Sequence, residues 1–333
     1  MGSLGIRPYE RGLTDLGRAG FAWLQPDGGW GWSNAGLVVS GDEALLVDTL
    51  FDEVLTAEML AAMRKAAPKA RIRRVVNTHS NGDHCNGNRL VEGAEIISSK
   101  ATAEELAHEN PAGLAALMKR APSMGEVGEF FIYCFSAFRF EGIDPTRPTR
   151  TFEGALDVTV GDKLVRLKQV GPAHTRGDVI VHVPADRLIY GGDVLFIEGH
   201  PIVWAGPIQN WIDACNYMLT LDAEIIVPGH GPITDARGVV AVRDYLTYVR
   251  AEAKQRFDAG LSAYDAALDI SLADYDSWGD AERIVVNVAS AYKEFAGDDT
   301  PHNVGELFGL MARIHRARPR AHKARPRADT ARR

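Results

Sequence analysis

Four apolar, β-rich runs in this chain stop at turns marked by Gly or Pro, and each turn carries an imidazole or a carboxylate. They are "VVNTHSNGDHCNGN" at 75–88, "GPAHTRGD" at 171–178, "GGDVLF" at 191–196 and "VPGHG" at 227–231. A strand delivers its last side chains to one edge of its sheet, and a sharp turn there aims them inward. A lone histidine is usually an ordinary structural or surface residue. His79, Asp83, His84, His174, Asp193 and His230, all at successive strand ends, read together as a metal site.

The rest of the chain alternates strands and helices around these loops. "AGLVVSG" and "ALLVDT", separated by Gly-Asp-Glu, predict a hairpin. Asp52 followed by Val54, Leu55, Met59, Leu60 and Met63 predicts a helix with one apolar face. "RIRRVVNTH" and "AEIISS" are the next strands, and "ATAEELAHE" opens a helix. Residues 156–204 read as β again, "AEIIVPGHG" as the last strand, and the pattern from Gly238 onward as helical. No repeat of fixed period appears. Two β-rich halves, each carrying helices, imply an α/β fold of two sheets packed face to face with helices outside.

Composition narrows the function. The chain has 333 residues, enough for a large core, and a formal net charge of -7. From His315 to Arg333 there are eight Lys or Arg against one Asp, a surplus of seven positive charges that leaves residues 1–314 at -14. An acidic body argues against a nucleic-acid surface. No apolar run approaches the length of a membrane span. Three widely spaced cysteines, Cys85, Cys134 and Cys215, do not make a disulfide framework and fit a cytoplasmic protein. The expected organisation is a single domain over residues 1–314 with a helical C-terminal part, then a basic, disordered tail over 315–333.

"THSNGDH", "GPAHTRGD", "GGDVLF" and "PGHG", in that order, resemble the successive ligand motifs of the metallo-β-lactamase-fold hydrolases, over roughly residues 34 to 235. The resemblance implies a four-layer αββα sandwich with C-terminal helices and with metals at one edge of the two sheets. It would place His79, Asn81 and His174 in a first zinc site and Asp83, His84 and His230 in a second, with Asp193 between them.

Asn81 departs from that pattern, standing where the family carries a histidine. A neutral carboxamide is a poor zinc ligand beside imidazole, so the first site should lose affinity. One catalytic Zn²⁺ held by Asp83, His84, Asp193 and His230 is therefore favoured. His79 and His174 would then lie behind it or carry protons, and Asn81 would hydrogen-bond the bound water or substrate. Asn81 as a mere cap of the turn, or as a weak ligand of a second zinc, stay open. Water on such a zinc falls toward a pKa of ~7 and attacks as hydroxide. No cysteine or serine nucleophile is needed, and Cys85 reads as packing.

The aromatic residues bear on the substrate. "FAWLQPDGGWGW" brings Trp23, Trp30 and Trp32 into the lead-in to the first hairpin, while Trp204 and Trp211 follow the Asp193 motif. "MGEVGEFFIYCFSAFRF", residues 124–140, packs five Phe and a Tyr into a core segment, a homodimer interface or a lipophilic wall over the site. These features favour a small, lipophilic or aromatic substrate. The H-x-N-x-D-H variant with its aromatic lead-in is also similar to the chlorothalonil hydrolytic dehalogenase branch, which implies replacement of an activated aryl halide by hydroxyl. A lactonase, thioesterase, glyoxalase-type or β-lactam hydrolase would use the same ligands. The non-enzyme alternative is a degenerate metal-binding scaffold.

Overall fold

The computed structural model describes residues 2–91 and 93–318. The first sheet has seven strands in sequence order: β1 (Gly12–Gly17), β2 (Gly20–Leu24), β3 (Ala35–Ser40), β4 (Glu43–Val47), β5 (Arg71–Val76), β6 (Glu95–Ser99) and β7 (Arg150–Phe152). Strands β1 to β4 pair antiparallel, and β4 to β7 run parallel through helical crossovers. The second sheet has β8 (Ala155–Val160), β9 (Lys163–Gln169), β10 (Val179–Val183), β11 (Leu188–Phe196) and β12 (Ile225–His230), in the order β12-β11-β10-β9-β8. Only β12 lies parallel to its neighbour there.

Why the inner strands are apolar on both faces follows from the layering. In β4, Leu45 and Val47 point into the space between the sheets, where Val76, Val165, Val181 and Val227 meet them. Ala44 and Leu46, one residue out of phase, join the larger cluster under the helices. Removing a side chain such as Leu46 would cost about 2–5 kcal/mol. Gly36 makes room for Tyr190, whose ring atoms lie 2.1 Å from where a Cβ would stand. The Tyr190 hydroxyl crosses between the sheets to donate to the Phe21 carbonyl at 2.9 Å.

The helices are α1 (Glu53–Ala66), the single turn α2 (Gly82–Cys85), α3 (Lys100–Leu106), α4 (Pro111–Arg120), α5 (Gly125–Phe135), α6 (Ile208–Leu219), α7 (Ala236–Asp258), α8 (Ala263–Asp269), α9 (Ile284–Ala296) and α10 (Val304–Ala317). Asp52 caps α1 by accepting from the Leu55 amide at 2.8 Å, and Leu55, Met59, Leu60 and Met63 are buried as expected. Val54 instead faces solvent at 55% exposure. Among the described residues, no helix is long and apolar enough to cross a membrane.

The structure adds to the sequence reading at three points. Strands β1, β2 and β7 were not anticipated from the sequence. The aromatic stretch at 124–140 is mostly α5, and its Phe130, Phe131 and Phe135, with Phe138 and Phe140, lie in the main core. Helix α10 continues through Ala317, so His315 belongs to the folded part, and the rest of the basic stretch, residues 319–333, lies outside the described residues.

Candidate metal centre

All seven site residues read from the sequence meet at one end of the two sheets. Strand β5 ends at Val76, and the chain then turns through His79 and Asn81 into α2, which holds Asp83 and His84. His174 comes from the loop between β9 and β10, Asp193 from the middle of β11, and His230 from the last residue of β12. Gly229 allows this approach, because a Cβ there would sit 2.0 Å from Asp193 Oδ1.

Asp193 is the hub. Its Oδ1 lies 3.1 Å from His84 Nε2, and its Oδ2 lies 3.6, 3.4 and 3.4 Å from the Nε2 atoms of His79, His174 and His230. Asp83 Oδ2 is 3.2 Å from His230 Nε2 and 3.8 Å from His84 Nε2. Two triads have donor atoms close enough to share one ion, His79, His84 and Asp193, and Asp83, His84 and His230. His79, His84, Asp193 and His230 are each no more than 3% exposed, and Asp83 is the most open at 8%.

Every imidazole in the cluster is held from behind through Nδ1. His84 Nδ1 meets Asp48 Oδ2 at 2.9 Å. The Thr78 hydroxyl gives its proton to Asp48 Oδ2 at 2.7 Å, so the 3.0 Å contact with His79 Nδ1 makes that ring nitrogen the donor. His174 Nδ1 donates to the Ile202 carbonyl at 2.7 Å, and His230 Nδ1 to the Gly28 carbonyl at 3.0 Å. Each ring therefore turns Nε2 inward, which is the arrangement a metal-binding imidazole requires.

The inward atoms fit a divalent metal. His79 Nε2, His84 Nε2 and Asp193 Oδ1 are buried without a hydrogen-bond partner. Leaving such atoms unmatched costs roughly 1–3 kcal/mol each, which an ion would relieve. Burial alone would raise the Asp193 carboxyl, but His230, His84 and His79 outweigh it and hold it well below the ordinary range. Burial would lower His230, yet Asp193 and Asp83 push it up to about 9. His174 goes the other way, down to about 4, because burial dominates the pull of Asp193.

Asn81 does not cap its turn: as the residue before α2 it makes no side-chain hydrogen bond to the helix. Its Nδ2 instead lies 3.0 Å from His174 Nε2. Because His174 Nδ1 carries the proton given to Ile202, Nε2 of the neutral ring is an acceptor and the Asn81 amide is its donor. The lone pair that His174 would offer a metal is thus already engaged.

Several supporting groups were not foreseen. Asp48 follows β4 in a left-handed backbone conformation (φ 62°) and gathers the Thr78 amide, the Thr78 hydroxyl and His84. Burial raises its carboxyl, against the opposing pull of His84 and Thr78. An acidic residue closing an apolar strand, "LLVDT", was the available signal. Ser33, which donates to the Asp83 carbonyl at 2.6 Å, and the carbonyls of Gly28 and Ile202 left none. The Cys85 thiol donates to the His79 carbonyl at 3.1 Å, and burial keeps its pKa well above the ordinary value.

Of the tryptophans near these loops, Trp23, Trp30 and Trp211 are buried, while Trp32 and Trp204 remain partly open. Trp32 precedes Ser33 and rests on Phe138, with ring centroids 4.7 Å apart. The Trp204 amide donates to the His174 carbonyl at 3.0 Å, and its ring stacks at 6.1 Å on Phe308 of α10. Phe308 is a further aromatic support that the sequence reading passed over.

A sandwich of two mixed sheets flanked by helices, with a buried His/Asp cluster at one end, defines a metal-binding α/β class. Residues 28–230, more than half of the chain, match the metallo-beta-lactamase superfamily, and the chain belongs to it. It is 25% identical over 199 residues to the acyl-coenzyme A thioesterase MBLAC2 of Gallus gallus, covering 57% of this chain and 66% of that protein. It is 23% identical over 254 residues to the 2,4-dinitroanisole O-demethylase subunit alpha of Nocardioides sp. (strain JS1661), covering 69% of this chain and 66% of that one. The chain therefore spans slightly less than two thirds of the length of these relatives. Among solved structures, the sec-alkylsulfatase Pisa1 from Pseudomonas sp. superposes with a TM-score of 0.63 at 15% identity, covering 88% of this chain and 52% of that one. A metallo-beta-lactamase from Pontibacter korlensis gives 0.53 at 18% identity, covering 72% and 99%.

Proposed function

We propose that this protein is a hydrolase that works with one zinc ion, held by Asp83, His84, Asp193 and His230, on a small lipophilic substrate, with an electron-poor aromatic ring as the favoured class. The observation that carries the single-ion reading is the Asn81–His174 hydrogen bond, which engages the His174 lone pair and leaves His79 the only free imidazole of the other position. Imidazole and carboxylate donors in a buried set suit zinc. When bound, the metal supplies Lewis acidity and lowers the pKa of water it holds, so that a nucleophile exists at neutral pH.

The chain's own residues do the rest. Asp83 is the least buried carboxylate of the cluster, and although burial would raise it, His84 and His230 hold its carboxyl below the ordinary range. Asn81, partly exposed, keeps its Oδ1 as an acceptor once its amide is given to His174. Trp32 and Trp204 are partly exposed, and the backbone at Trp204 and the neighbouring Ser33 side chain bond to the segments that carry His174 and Asp83. Replacement of an aryl chloride by hydroxyl would form a C–O bond, break the C–Cl bond and release chloride and a proton, both leaving to solvent. The relative named for O-demethylation of 2,4-dinitroanisole acts, by its name, on an electron-poor arene, which supports this substrate class.

The thioesterase relative supports attack on an activated carbonyl as a second reading. The test is a panel of aryl esters, lactones, a β-lactam, an acyl-coenzyme A and chloro- or methoxy-substituted electron-poor arenes, with zinc counted on the same preparation. Chloride or methanol release with one zinc per chain is expected. Turnover of acyl-coenzyme A alone would displace the arene reading.

A further inference from the structure

Beyond residue 230 the chain leaves the stretch matched to the family, yet it returns to the site through one face of a helix. Arg283, Asn287 and Ser290, spaced by four and three residues, point from the start and body of α9 at the segment 200–203 after β11. Arg283 Nη1 donates to the His200 carbonyl at 3.0 Å. Asn287 binds both sides of Ile202, accepting from the Val203 amide at 2.9 Å and donating to the Pro201 carbonyl at 2.9 Å. Ser290 donates to the Val203 carbonyl at 2.6 Å. All three are buried, at 2%, 0% and 6% exposure. Polar groups on the buried face of a helix are costly unless matched, and here the match is a loop that no sheet ladder holds.

That loop carries the Ile202 carbonyl, which takes the His174 Nδ1 proton. It also closes onto the His174 segment, with Trp204 and Ala205 amides donating to the His174 carbonyl at 3.0 and 3.1 Å. We propose that Asn287 is a positioning residue: by gripping the peptides before and after Ile202 it holds His174 in the Nδ1–H form, so that Nε2 faces Asn81 and Asp193. The proposal rests on the one-zinc reading only in assigning His174 Nε2 to Asn81, since the Nδ1 lock is the same whatever Nε2 meets.

The experiment uses the full-length, zinc-loaded protein labelled with ¹⁵N-histidine, its His174 ring signals assigned with His174→Gln. In wild type a single Nδ1–H tautomer is expected across neutral pH. Asn287→Ala should broaden or shift those signals toward exchange between tautomers, keep zinc at its wild-type count, and lower kcat about 10–100-fold, the usual range for residues behind a metal site, with KM little changed. Ser290→Ala should give a smaller change of the same kind and Ser290→Thr should restore the signal, which keeps the test open if Asn287→Ala does not fold. Val158→Ala, a cavity in the cluster between the sheets, controls for general destabilisation and should leave His174 unmoved. An unchanged His174 signal in both Asn287→Ala and Ser290→Ala overturns the proposal. Direct zinc ligation by His174 in wild type, seen as a metal-dependent Nε2 shift, would overturn the one-zinc reading and leave the positioning role standing.

Discussion

The side-chain amide of Asn81 donates to His174 Nε2 at 3.0 Å, while His174 Nδ1 donates to Ile202, so one imidazole is held at both ends by groups that are not metals. A histidine bound this way is a fixed, neutral dipole. Its depressed pKa, near 4, keeps it so through the neutral range.

Replacing Asn81 with histidine removes that donor and adds an imidazole. Zinc content should rise from one toward two per chain, measured by elemental analysis after gel filtration. Turnover of the native substrate should fall while hydrolysis of a generic aryl ester rises. An unchanged zinc count would mean that Asn81 is not what keeps the second ion out.

Asp48 is buried behind the cluster, where it accepts from both the His84 ring and the Thr78 that supports His79. Asp48→Asn should weaken zinc binding about 10–100-fold, read by competition with a chromogenic chelator. Wild-type affinity in that variant would remove Asp48 from the metal's support.

The pH dependence of the metal-free protein follows from His230. Its folded pKa, about 9, lies above the ordinary 6.5, so its bonds to Asp83 and Asp193 stabilise fully below pH 6.5 and are lost as pH rises through about 9. The melting-temperature gap between chelator-treated wild type and His230→Gln should therefore shrink from pH 6.5 to 9. Titrating groups remote from His230 cancel in that difference. A gap that widens over the same range would reverse the assignment.

Alkylation should not inactivate the protein. Cys85, Cys134 and Cys215 are all buried, and the Cys85 thiol is held neutral by burial. Iodoacetamide on the native fold should leave turnover within error of the untreated sample, and Cys85→Ala should retain zinc. Rapid loss of activity with one modified cysteine would point to covalent catalysis.

The candidate cluster was legible because chemistry and position coincide: His79, Asp83, His84, His174, Asp193 and His230 each follow or interrupt a strand, and strand ends converge. What aims those ligands was less so. The Gly28 and Ile202 carbonyls are backbone groups with no side-chain signature, and Asn287 looks like any polar helical residue until its burial is known. Strands β1 and β2 escaped notice because β1 is a half-exposed edge with weak alternation, and β7 has only three residues. The Phe-rich segment shows the opposite limit, for composition alone does not separate a core helix from an open aromatic wall.

The grip of α9 on the 200–203 loop bears on where such a protein can be cut or grafted. The family match ends at residue 230, but the contacts that reach His174 extend at least to Ser290. A chimera that borrowed residues 28–230 for a new scaffold would inherit every candidate ligand and leave His174 unbraced. Swapping the C-terminal helices between relatives would, by the same logic, retune the site without touching a single metal-binding residue.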